Sequence, residues 1–141
     1  MFRIIKEVKP RFVFAENVTR EAISTAAEDL YGVGYSCRYM CLSAADLGAP
    51  TERKRYWLAA HANPNGEPRR PVYAKTPRPS ALPIMEWWQD DAKSMGVSDG
   101  LSSGLEQPDA TDRQRLQGLG NAQSPGVAAV AWTILSAGFV V

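Results

Sequence analysis

Three short clusters in this 141-residue sequence carry side chains that could do chemistry. The first is Glu16-Asn17, placed directly after the apolar run Phe12-Val13-Phe14-Ala15. Open α/β sheets bind ligands in the crevice beyond the carboxyl ends of their strands, so a carboxylate there could hydrogen-bond the edge of a heterocyclic base. The same two residues would serve equally well as the cap of a following helix. The second cluster is Thr51-Glu52-Arg53-Lys54-Arg55, at the start of another apolar run. Strand alternation sends Arg53 and Arg55 to one side, where they could reach a phosphate and a carbonyl together, although charged strand ends are common. The third is Leu119-Gly120-Asn121-Ala122 ahead of a helical pattern. Glycine permits close backbone approach and a helix start offers free amides to an anion, as does any helix-initiating turn.

The two cysteines, Cys37 and Cys41, are too few for a disulfide framework, and C-x₃-C alone lacks the further ligands of a zinc site. They are expected to be reduced and buried. Net charge is +1, and its distribution is more telling than its sum. Between residues 51 and 80 seven basic side chains, among them Arg69, Arg70, Lys75 and Arg78, face two acidic ones. From 86 to 112 seven carboxylates precede Arg113 with only Lys93 among them, so a stretch suited to phosphates is followed by an acidic one. Two solvated loops of opposite sign would give the same counts. No apolar run is long enough to span a membrane, and the amino terminus is not built like a signal peptide, which leads us to expect a soluble, cytoplasmic protein.

The elements that must position these clusters follow from periodicity. Ile4, Ile5 and Val8 read as the last turns of a helix that stops at Lys9-Pro10. Phe12 to Ala15 reads as a buried strand. From Thr19, a candidate N-cap, Ile23, Ala26, Ala27 and Leu30 share one helix face, with Gly32 and Gly34 closing the segment. Strands are expected at 35–42 and 55–60, separated by the turn at 45–50. Seven of the ten prolines lie between Pro50 and Pro83, and residues 61–112 show no sustained period, so they are expected to be a long irregular segment. Ser124-Pro125 opens a terminal helix with Val127, Val130, Ala131, Ile134 and Leu135 on one face and Gly138 beyond it. The division is therefore 1–61, a half-sheet with helices; 62–111, a loop; and 112–141, the third cluster and the terminal helix.

Taken in order, the clusters resemble the later motifs of the DNA cytosine-5 methyltransferase family, particularly its compact phage-type members. Lys6 to Val18 (KEVKPRFVFAENV) resembles the segment carrying the family's Glu-Asn-Val motif. Ala44 to Ala60 resembles its A-x-D-x-G-A-P turn followed by Q-R-R-x-R, and Asp112 to Pro125 resembles its DR-x-RL-x-x-LGNA-x-x-P block. The resemblance implies the carboxyl-terminal half of a Rossmann-like class I methyltransferase sheet, an α/β fold of about three strands with flanking helices.

It also implies roles. The family flips its target cytosine from duplex DNA, adds a cysteine thiolate to C6, and methylates C5 from S-adenosylmethionine. Glu16 would hold the ring at N3 and the amino group, Arg55 would contact O2, and Arg53 would order the neighbouring strand and phosphate. Gly120, Asn121 and Ala122 would lie near the cofactor. Asn17, Arg69, Arg70, Lys75 and Arg78 would face DNA, with the segment from about 62 to 85 in place of the target-recognition region. Two family features have no counterpart: the Gly-rich cofactor loop and the Pro-Cys dipeptide of the nucleophile. Thr51-Glu52 also stands where Gln-Arg is expected. The cofactor site is then incomplete and the lone chain inactive. The strand 12–15, normally interior, would expose an apolar edge to the amino-terminal half or a homodimer partner. The alternative is a non-catalytic prophage-type remnant or DNA-binding module.

Overall fold

The computed structural model describes residues 1–49, 52–63, 66–77 and 125–139. The first helix, α1 (Phe2–Val8), ends where Lys9 takes the left-handed conformation, φ 49° and ψ 54°, with its N–H donating to the Ile5 carbonyl at 2.8 Å. Pro10 bars Lys9 from continuing the helix, and the Pro10 carbonyl accepts from the Tyr35 hydroxyl at 2.7 Å. Strand β1 (Phe12–Asn17) follows. Helix α2 (Arg20–Tyr31) is capped as its sequence predicts: the Thr19 hydroxyl accepts from the Ala22 N–H at 3.3 Å, and Ile23, Ala27 and Leu30 are buried. The chain reverses through Gly34, whose φ of 97° suits glycine, into β2 (Tyr35–Ser43).

A short 3-10 turn, Ala45–Leu47, connects β2 to β3 (Lys54–Ala62). It is held reciprocally: the Asp46 carboxylate accepts from the Ser43 N–H at 2.8 Å, and the Ser43 hydroxyl accepts from the Asp46 N–H at 3.2 Å. A two-residue strand, β4 (Val72–Tyr73), and the terminal helix, α3 (Pro125–Ser136), complete the described elements.

The fold is mixed α/β, an open four-stranded sheet in the order β1-β3-β2-β4 with helices on both faces. β3 lies antiparallel between β1 and β2, and β4 pairs parallel with β2. Alternation along the strands builds two cores. Val13, Cys37, Leu58 and Ala60 meet α2 on one face, while Met40, Leu42, Trp57 and Ala59 meet Val127, Val130, Ala131 and Leu135 of α3 on the other. Three of the strands were expected from the sequence. β4 was not, and β3 runs on to Ala62 inside the stretch expected to be irregular. A two-residue exposed strand has no period of its own; it exists because β2 offers it an edge at Arg38 and Tyr39.

β1 is an outer strand among the described residues. The Arg11 carbonyl accepts from Ala62 N–H, so in this antiparallel register the odd-numbered residues of β1 bond to β3. The N–H and C=O groups of Phe12 and Phe14 therefore point away from β3. Both side chains are 38% exposed despite packing edge-on against Trp132, at 5.7 and 5.5 Å.

Candidate functional site

Glu16 and Arg55 come together at the end of the sheet where β1 finishes and β3 starts. The Arg55 Nε lies 2.7 Å from the Glu16 carboxylate, and the two side chains are 17% and 15% exposed. Register makes this contact: Glu16 pairs across the ladder with Trp57, two residues along β3 from Arg55 and on the same face. Lys54 points the other way, to Glu52 at 2.7 Å, so the basic run is split by the pleat. Arg53 lies immediately before β3, half-buried, and its carbonyl accepts from the Ala44 N–H at 3.3 Å.

Beside the ion pair is an aromatic floor. Phe14 and Trp57 stack with ring centroids 5.5 Å apart and an interplanar angle of 17°. Trp57 is buried, and its indole N–H has no acceptor among the described residues. A carboxylate that accepts and a guanidinium that donates, side by side at a strand end, present a complementary pair to the edge of a planar heterocycle.

The Asn17 side-chain carbonyl accepts from the Thr19 N–H at 3.1 Å and from its hydroxyl at 3.4 Å. It thus shapes the turn into α2, the capping role its sequence position also allowed. Arg69, Arg70 and Lys75 are exposed, but they do not form one patch. Arg69 donates its N–H to the Ser36 hydroxyl at 2.9 Å, near the start of β2, whereas Lys75 precedes Thr76, which bonds the Cys41 carbonyl at 2.6 Å. Those anchors are five residues apart along β2, about 16 Å of strand. Arg78, Gly120, Asn121 and Ala122 lie outside the described residues. The carboxyl end of α3 does have a place: Gly138 abuts Arg38 and the Phe139 ring lies 5.7 Å from His61, both at the far end of the sheet.

A family model described as C-5 cytosine-specific DNA methylase matches residues 1–114. The chain belongs to this family. Searches of curated proteins and of solved structures each return no match. The C-5 cytosine-specific DNA methylase match covers Glu16, Asn17, Arg53, Arg55, Arg69, Arg70, Lys75 and Arg78 and ends before Gly120. The reaction belonging to the family is methylation of cytosine in DNA.

Neither cysteine of this methylase family member is poised as a nucleophile. Burial, reinforced by the Glu28 charge, pushes the Cys37 thiol up to about 12 from its ordinary 9.0. Burial and then the Asp46 carboxylate raise Cys41 as well, against the opposing pull of Lys54 and Tyr56. A protonated thiol does not add to a pyrimidine. Cys37 is therefore expected to resist alkylation at neutral pH until the chain is unfolded, as mass spectrometry of iodoacetamide-treated protein will show. Below pH 9.0 the thiol is protonated in both the folded and the unfolded chain. Between that point and about 12 only the unfolded chain releases the proton, so stability falls with rising pH by up to about 1.4 kcal/mol per pH unit. Replacing Cys37→Ala should flatten that part of a stability–pH curve measured by urea unfolding.

Sequence reasoning missed two residues. Trp57 was read as strand interior, with nothing to show that it lies across from Glu16. Arg38 was passed over, although a single charge inside Tyr35-Ser36-Cys37-Arg38-Tyr39-Met40-Cys41-Leu42 was a usable signal.

Proposed function

We propose that this chain is the carboxyl-terminal half of a DNA cytosine-5 methyltransferase and holds the flipped cytosine between Glu16 and Arg55. The observation that carries this reading is their 2.7 Å contact at the strand ends, beside the Phe14–Trp57 floor. Glu16 accepts from the amino group and engages N3, stabilising the charge that develops on the ring when a thiolate adds. Arg55 turns from Glu16 toward O2 as the base enters, and Arg53 orders the adjoining strand. S-adenosylmethionine, when bound, supplies the methyl group. Gly120, Asn121 and Ala122, which lie outside the described residues, would contact it as the family resemblance implies.

On this reading the sheet is half of a Rossmann-like class I methyltransferase sheet. The thiolate comes from a second polypeptide segment, since neither Cys37 nor Cys41 is ionised near neutrality. The outward N–H and C=O groups of Phe12 and Phe14 give that segment, or a second copy of the chain, a strand edge to join.

The test is transfer of labelled methyl groups from S-adenosylmethionine to duplex DNA. The chain alone should transfer none, and the chain combined with the product of the upstream reading frame should transfer methyl groups to C5 of cytosine and co-purify with that product. Methyl transfer by the chain alone would refute the assignment of the nucleophile. Failure of the combined proteins to bind either DNA or S-adenosylmethionine would instead mark a non-catalytic remnant.

A further inference from the structure

Toward the end of the sheet away from Glu16, a small cavity of about 140 Å³ is lined by Arg38, Arg69, Arg70, His61, Ser36 and Asn63 among others. No carboxylate is among its described lining residues. Arg38 enters from β2, and its Nε is buried without a hydrogen-bond partner among the described residues. Behind it, Gly138 packs so closely against the guanidinium that a Cβ at that position would overlap it, so the missing side chain is what gives Arg38 its place. The segment before β4 is tied across the cavity by the Arg69 N–H to Ser36 hydroxyl bond and by the pairing of Arg38 with Val72. His61 is held between the Phe12 and Phe139 rings, at 4.8 and 5.7 Å.

Three arginine residues line one space and give it a positive field, and a buried donor of Arg38 without an acceptor among the described residues is costly. An anion occupying the space satisfies both. Its volume exceeds the roughly 30 Å³ share of one water several times over, leaving room for a tetrahedral oxyanion. Guanidinium forks match the paired oxygens of such a group, and three of them suit a phosphate better than a carboxylate with two oxygens.

We propose that this cavity is a phosphate-binding site, with half-buried Arg38 as its anchor and Arg69 and Arg70 as its outer clamp. Glu16 stands level with Met40 across the sheet, roughly 12 Å from Arg38 at the backbone, and neither Glu16 nor Arg55 is among the described lining residues, so the ligand is not the base held there. The phosphate is either that of a free phosphorylated compound or a phosphodiester of DNA, and the site does not depend on methyl transfer.

The test is calorimetric titration of the whole chain with inorganic phosphate, against chloride at equal ionic strength. Saturable binding is expected. Arg38→Gln should weaken it by about tenfold or more, the usual scale for a lost charge-assisted hydrogen bond. Gly138→Ala, which keeps every charge but displaces the guanidinium, should also weaken it. Arg3→Ala removes an exposed charge paired with Glu7 on α1 and should leave binding unchanged. Melting curves identify any variant that fails to fold, and Gly138→Ala keeps the proposal testable if Arg38→Gln does. Duplex DNA that competes with phosphate on the unsubstituted chain identifies a phosphodiester; phosphate binding indifferent to DNA identifies a free compound. No binding at millimolar phosphate, or equal binding by unsubstituted chain and folded Arg38→Gln, overturns the site.

Discussion

Replacing Trp57 by alanine is expected to lower the unfolding free energy by about 3–5 kcal/mol, read from the midpoint and slope of urea unfolding. Trp57 is 1% exposed, sits in the central strand, and pairs with Glu16 on one side and Met40 on the other. Its ring stacks on Phe14 and belongs to the core shared with α3. Truncation would empty the space beneath both, and a domain this size has only about 5–15 kcal/mol in all. Trp57→Phe should cost far less. It leaves a smaller void and removes an indole N–H that is buried without an acceptor among the described residues, a group whose desolvation costs about 1–3 kcal/mol. A phenylalanine variant as unstable as the alanine variant would mean that the indole nitrogen makes a bond in solution. The contrast matters for the site as well, because Trp57 sets the floor beside Glu16 and Arg55.

Periodic features were legible in the sequence, and pairwise ones were not. Thr19 and the Ile23, Ala27, Leu30 stripe announced α2 because capping and helical spacing are local properties. The apolar face of α3 was equally plain. Glu16 and Arg55 could each be placed at a strand end, but their ion pair depends on the register of β1 against β3, which no local pattern states. The charge count grouped Arg69 and Arg70 with Lys75, and β4 then separated them by running alongside β2. Arg38 shows the same limit more sharply: its neighbours in the cavity come from β3, the segment before β4 and the end of α3, and with β2 itself that makes four stretches of chain that only the fold brings together.

Glu16→Gln is expected to slow methyl transfer by about a hundred- to a thousandfold when the chain is assayed with the product of the upstream reading frame, the scale seen when one preorganised charge-stabilising group is lost. The variant keeps the shape of the side chain and one carbonyl oxygen to face Arg55 and the amino group of the base. It loses the negative charge, and with it the response to charge that appears on the ring only as the thiolate adds. The loss should therefore fall on kcat more than on DNA affinity, since an interaction strengthened in the transition state is missing rather than one made equally in the ground state. Stability is a separate matter: Arg55 stays beside a neutral amide in a half-closed site, and melting curves will show whether the variant remains folded. Arg55→Ala sharpens the comparison. It removes the contact to O2 and frees Glu16 from its 2.7 Å partner, so it should raise KM as well as lower kcat. Equal rates for Glu16→Gln and the unsubstituted chain would sink the base-holding role, and with it the reading of this strand end as the cytosine site.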